Sequence, residues 1–316
     1  NISFDEDETQ VDWNNSGSTG PAEGFSPIGN GTTPAACSYD GQNHTIKNLF
    51  INRPNTDYVG LFGWKVSNRV INLGLVNADI TGQNNVGAIT GKYMYGVEMM
   101  NCFSTGTING AENVGGLVGI NDNTGIGYSY IEKSYSMCNV SGTNNVGGFI
   151  GYNYNNGDYV DINDCWSSGD VTRTSGTNTS FGAFCGNNDD GGIHDSYATG
   201  DVVYDGETDP TDKGFVGTDN SGSYGNNFFD TGSNQSSATG ATGLTSAQMQ
   251  VQSNFTNWDF TDTWAMSSSI TFNEYPTLQW TGAYAEEPSQ SGGNYQIAGL
   301  PNLVWIAESS FRWDND

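Results

Sequence analysis

With 9 Lys and Arg against 35 Asp and Glu, this chain of 316 residues carries a formal charge of -26 at pH 7. Such a charge repels phosphate backbones and anionic bilayers, which sets nucleic acid aside as a partner; no apolar run of about eighteen residues exists, so no membrane insertion is expected. Aromatic residues make up 12% of the chain, too many for a disordered segment, and its 44 glycines follow no three-residue period, so collagen is excluded and many short strands broken by turns are predicted.

The first stretch, Asn1–Gln10, has neither a basic nor an apolar leader pattern, so any export signal is expected outside these residues. From Val59 onward one motif recurs, an apolar pair bracketed by glycines. It reads VGLFG at Val59, VGAITG at Val86, VGGLVG at Val114, VGGFIG at Val146, FGAFCG at Phe181 and KGFVG at Lys213. Its first glycines, Gly60, Gly87, Gly115, Gly147, Gly182 and Gly214, are spaced by 27, 28, 32, 35 and 32 residues. A second motif interleaves with it, NCFSTGTI, SYSMCNV, CWSSGDV, SYATGDV and FFDTG. Its aromatic heads are Phe103, Tyr135, Trp166, Tyr197 and Phe229, at spacings of 32, 31, 31 and 32, and Leu75 is placed in the same phase.

Runs of three to six residues rich in Val, Ile and aromatics, with Gly, Asn and Asp between them, are strand chemistry. One such repeat has too little apolar surface to fold alone, so neighbours must stack and share a core. Stacked at the strand spacing of about 4.8 Å, the aromatic heads become a core ladder, and the glycines fit where backbones approach closely. The expected fold is all-β, a right-handed parallel β-helix (β-solenoid) of repeats of 27–35 residues. Residues 1–280 form the solenoid and its closing segment, 281–293 a polar linker, and 294–316 a strand-forming tail.

The VGLFG, VGGLVG and VGGFIG repeats resemble the GLUG-motif repeats of bacterial surface proteins, among them large adhesins, filamentous-haemagglutinin-like proteins and some surface peptidases. GFSPIG at Gly24 and DGQNHTIKNLFINRP at Asp40 are similar to the lead-in of such regions. GLTSAQMQ at Gly243, WDFTDTWAM at Trp258 and YPTLQW at Tyr275 are similar to their closing segment. The resemblance implies an extracellular or cell-surface structural or adhesive protein. The HExxH helix of the peptidase relatives is missing, so no protease activity transfers and the chain is expected not to be an enzyme.

In that family a segment like NYQIAGLPNLVWIA opens a repeat region, whereas here it follows the repeats at Asn294. Two explanations stand open: a window of a longer tandem array, or a subunit whose tail adds strands to the next copy in a head-to-tail filament. In the second, Tyr295, Ile297, Leu300, Leu303, Trp305 and Ile306 would make the subunit contact. The partner is then the chain itself, with a carbohydrate or a host or cell surface as a further partner.

Asp164 and Asp195 fall one repeat apart, as do Asp170 and Asp201, and stacked carboxylates with Arg173 nearby would suit a carbohydrate-active enzyme, a polysaccharide lyase or glycosidase. Their ladder equivalents include Asn101, Lys133, Thr107 and Asn139, so turn chemistry is the simpler account. Oxygen-rich loops holding Asp5, Asp7, Asp189, Asp190, Asp209 and Asp212 are candidate Ca²⁺ ligands; no other cofactor is indicated. N-x-S/T sequences mark Asn14, Asn30, Asn43, Asn139, Asn178, Asn234 and Asn254 as candidate glycan acceptors. The five cysteines are expected to be mostly free and buried.

Overall fold

The computed structural model describes residues 2–3, 23–124, 127–155, 160–266, 274–283, 289–291 and 294–296. The corners of the coil set its shape. Asn72, Asn101, Lys133, Asp164, Asp195 and Asn226 all have φ between 47° and 53°, one per coil. Asn and Asp visit this left-handed region at the least cost among residues with a Cβ, so short polar residues recur there. A second corner is a column of Asn85, Asn113 and Asn145, in which Asn113 Nδ2 donates to Asn85 Oδ1 and Asn145 Nδ2 to Asn113 Oδ1, both at 2.8 Å.

Between corners the apolar runs pair in parallel. Phe103, Tyr135, Trp166 and Tyr197 are in register, as are Val86, Val114, Val146 and Phe181. The product is a parallel β-solenoid of about six coils with almost no helix, as the repeats predict. No helix among the described residues is long and apolar enough to cross a membrane.

Inside the coil, Phe149, Phe184 and Phe215 stack at 4.8 and 4.7 Å beside buried Val, Ile and Leu. A Cβ on Gly115 would lie 2.0 Å from the Val118 carbonyl oxygen, and one on Gly147 2.1 Å from that of Ile150. These glycines are required by backbone approach. Gly214 is not their equivalent: the Ala183 amide bonds Lys213 O and Cys185 pairs with Val216, so Lys213 takes the first-glycine position and Gly214 falls level with Ala183.

Three further expectations about the ladder are corrected. Phe103 pairs with Gly74, while Leu75 pairs with Ser104 and points into the lumen. Tyr197 pairs with Phe228, while Phe229 pairs with Ala198. A slip of one residue moves a side chain to the other face of a strand, which is what separates Leu75 and Phe229 from the ladder. Nor does the ladder belong to the lumen. Its neighbours Cys102 and Ser104 point inward, with Ser104 Oγ donating to Gly116 O at 2.8 Å, so Phe103 points outward. Phe103, Tyr135, Trp166, Tyr197 and Phe228 form a second apolar cluster outside the coil.

The closing segment covers that cluster. Thr245 and Gln248 cap the short helix Ser246–Met249 reciprocally, and strands Trp264–Met266 and Pro276–Leu278 pair antiparallel. Met249, Phe255, Trp258, Trp264, Tyr275 and Leu278 are all buried against the ladder. Hydrogen bonds clip the segment to the coil, among them Trp258 Nε1 to Asn226 O at 2.9 Å, Trp264 Nε1 to Asp164 Oδ1 at 2.9 Å, and Tyr197 Oη to Pro276 O at 2.8 Å. Ser289–Ser291, in the stretch expected as a linker, pairs antiparallel with Asn294–Gln296 at the start of the expected tail, where Tyr295 faces Gln290. Ile297, Leu300, Leu303, Trp305 and Ile306 lie outside the described residues, as do Asp5, Asp7 and Asn14.

Candidate functional site

An open cleft of about 600 Å³ lies where the closing segment meets the outer coil face. Its coil wall consists of outward side chains that follow the ladder. Met137, Ser168, Thr199 and Asp230 stand two residues after Tyr135, Trp166, Tyr197 and Phe228, and Asp170 and Asp201 stand four residues after Trp166 and Tyr197. Ser246, Gln250 and Tyr275 of the closing segment form the opposite wall.

Asp170 and Asp201 are held by the coil itself. Asn139 Oδ1 accepts the Asp170 amide at 3.1 Å, Asp170 Oδ1 accepts the Asp201 amide at 3.1 Å, and Asp201 Oδ1 accepts the Asn234 amide at 2.8 Å. Each carboxylate therefore has one oxygen fixed by its neighbour's backbone, with the second unpartnered among the described residues. The strands that follow them, Val171–Arg173 and Val202–Tyr204, are adjacent, so the two carboxylates stand about 4.8 Å apart along the axis.

Asp230 is the rigid group of the site. It is 6% exposed, accepts Tyr275 Oη at 2.7 Å and the Gly232 amide at 2.7 Å, and has Ser246 Oγ 3.0 Å from both its oxygens. Burial, with the hydrogen bond to the Asp230 carboxylate acting in the same direction, pushes the Tyr275 phenol up to about 12.

The other expected pair is not in the cleft. Asp164 and Asp195 are corner residues, one accepting Trp264 Nε1 and the other accepting Asn226 Nδ2 at 2.9 Å. Burial raises the Asp164 pKa, and the neighbouring Asp195 charge adds to this against the opposing Trp264 bond. Arg173 is committed elsewhere, 2.6 Å from Glu207 and 3.6 Å over the Tyr204 ring.

The candidate calcium ligands are dispersed. Asp189 accepts Tyr152 Oη at 3.0 Å, Asp209 accepts the Tyr204 amide at 2.9 Å, Asp212 lies 3.9 Å from Lys213, and Asp190 is exposed. No group of three or more metal-ligating His, Cys, Asp or Glu side chains occurs among the described residues. Of the glycan candidates, Asn30, Asn43 and Asn139 are exposed and Asn178 is half-buried. The Asn254 side chain donates to Gln248 O, and that of Asn234 bonds both the amide and the carbonyl of Val202. All five cysteines are free, with Cys37 exposed and the rest buried.

Asp230, Ser246 and Tyr275 escaped the reading of the sequence. With the ladder head at Phe228 instead of Phe229, Asp230 falls in the column of Thr199, and that register was the signal available for it.

No protein-family model matches the chain. The fold recurs in the crystal structure of a "putative immunoglobulin A1 protease" from Bacteroides ovatus, with a TM-score of 0.57 and 22% identity over 81% of each chain. A structure described as IgA1 protease superposes on 59% of this chain and 15% of its own, with a TM-score of 0.45 and 22% identity. Likeness at this identity establishes the fold alone. The expectation of a chain that is no enzyme is corrected to that extent: a protein described as a "putative immunoglobulin A1 protease" shares the fold, so the fold is compatible with an enzyme. By sequence, halomucin of Haloquadratum walsbyi (strain DSM 16790 / HBSQ001) is 43% identical over 100 residues, 30% of this chain and 1% of halomucin. The match thus spans about a hundredth of that protein's length.

Proposed function

We propose that this chain is a length of an extracellular or cell-surface β-solenoid with a structural and adhesive role, either repeated in tandem or joined head to tail. The observation that carries the reading is the continuous register from Gly74 to Phe228, which makes the coil a stiff unit whose residues repeat along one axis. The likeness to halomucin supports a place at or beyond the cell surface. The charge of -26 supports it too, because mutual repulsion keeps an exposed acidic rod dispersed. The GLUG-like repeats and tail residues add the expectation of assembly with further copies.

A second reading, a carbohydrate-active enzyme on the same coil, is favoured by one observation: Asp170 and Asp201 share the cleft at adjacent coils, near the separation of a retaining pair. Electron microscopy of the native material, with antibody raised against this chain, tests the first reading. Labelled extended particles at the cell surface are expected; compact labelled monomers inside cells would overturn it. Release of reducing ends from polysaccharide, abolished by Asp201→Asn, would establish the second.

A further inference from the structure

The cleft has the construction of a binding site for a polyhydroxylated ligand. Its volume, about 600 Å³, is of the size that takes a small-molecule ligand, and its lining is mostly polar. The groups presented are hydroxyls (Ser168, Thr199, Ser246), the Gln250 amide and the carboxylates of Asp170 and Asp201. Hydroxyls and amides both donate and accept, while carboxylates only accept. A ligand matching this set must bring many O–H donors with acceptors between them.

Two features show that the set is pre-organised. Asp230 is more than nine-tenths buried and held by three partners, so it locks Ser246 and Tyr275 of the closing segment onto the coil. Asp170 and Asp201 are each fixed through Oδ1 by the amide of the next coil, leaving Oδ2 in place at little conformational cost. The charge of the cleft decides among sugars. No Lys, Arg or His lines it, and Asp170, Asp201 and Asp230 all do, so a uronate or sulfated sugar would meet like charge along the coil wall and no opposite charge.

We propose that the cleft between the outer coil face and the closing segment binds a neutral saccharide, with Asp170 and Asp201 accepting from its hydroxyls. This rests on the adhesive reading and names what that face takes, yet it fails separately: a rod without glycan affinity leaves the microscopy unchanged.

The full chain is applied to an array of neutral, amino and uronic oligosaccharides, and the best neutral ligand is titrated by calorimetry. Asp170→Asn and Asp201→Asn place in the ladder the residue already present at Asn139 and Asn234, so folding is preserved while a charged acceptor is lost. Each is expected to weaken binding about tenfold, the loss of one charge-assisted hydrogen bond. Thr199→Trp fills the cleft and is expected to abolish binding, with hydrogen exchange of the coil unchanged. No binding to any neutral glycan, stronger binding to uronates, or wild-type affinity in Thr199→Trp would each overturn the proposal.

Discussion

Trp264→Ala isolates the closing segment from the coil. Trp264 is fully buried, stacks on Trp258 at 4.3 Å, lies 6.0 Å from Tyr197 and donates to Asp164. Truncating a buried Trp costs about 3–5 kcal/mol, and losing a hydrogen bond to a charged group adds about 1.5–3 kcal/mol. Because the ladder lies outside the lumen, this loss falls on the attachment of residues 245–266 and 274–280 and spares the coil. Such segments open as units with less than the global stability, so a loss of this size leaves the segment detached. Hydrogen exchange with mass spectrometry reads this directly: peptides of 245–266 and 274–280 lose protection, while Tyr135–Gly142 and Cys185–Asp189 keep theirs. Equal loss of protection in those two strands would refute the separation of the outer cluster from the core.

The remaining predictions are independent of that one. Gly147→Ala places a Cβ 2.1 Å from a backbone oxygen of the same motif and 2.6 Å from the Gly186 amide of the next coil, so backbone must shift, and a lower melting temperature by about 2–4 °C per kcal/mol is expected by calorimetry. Asp164→Asn keeps an acceptor for Trp264 and suits the left-handed corner. The raised Asp164 pKa means its stabilising protonated form is lost as pH rises through the folded pKa, so the variant is expected to melt higher than wild type at pH 7 and no higher at pH 3. Tyr275 and Cys102 are pushed up to about 12 and Cys138 to about 11 by burial. Their stability is complete below their ordinary values and lost as pH rises toward 12, so denaturant midpoints should fall between about pH 9 and 12, less steeply in Tyr275→Phe. Iodoacetamide is expected to add one adduct to the native chain, at Cys37, and five after denaturation.

What the sequence made legible was set by local periodicity. Phe103, Tyr135, Trp166 and Tyr197 could be aligned because their repeats keep nearly constant spacing and the corner residues before them share one conformation. Leu75 and Phe229 could not, since near the ends of the coil stack the motif degenerates and a one-residue slip reverses the face. Ladder and lumen look alike in sequence, both being apolar positions in a strand. Only contacts such as Trp264 with Asp164, 100 residues apart, show which set lies under the closing segment. The cleft was half legible: Asp170 and Asp201 came from repeat phase, whereas Tyr275 and Ser246 reach Asp230 from 45 and 16 residues away.

The central claim is that the coils stack along the long axis of the native particle. Diffraction from oriented material, or power spectra of aligned microscope images, measures this directly. A reflection near 4.8 Å on the meridian is predicted, because the strands run perpendicular to the axis at that spacing. The same reflection on the equator would mean strands parallel to the particle axis and would contradict the account.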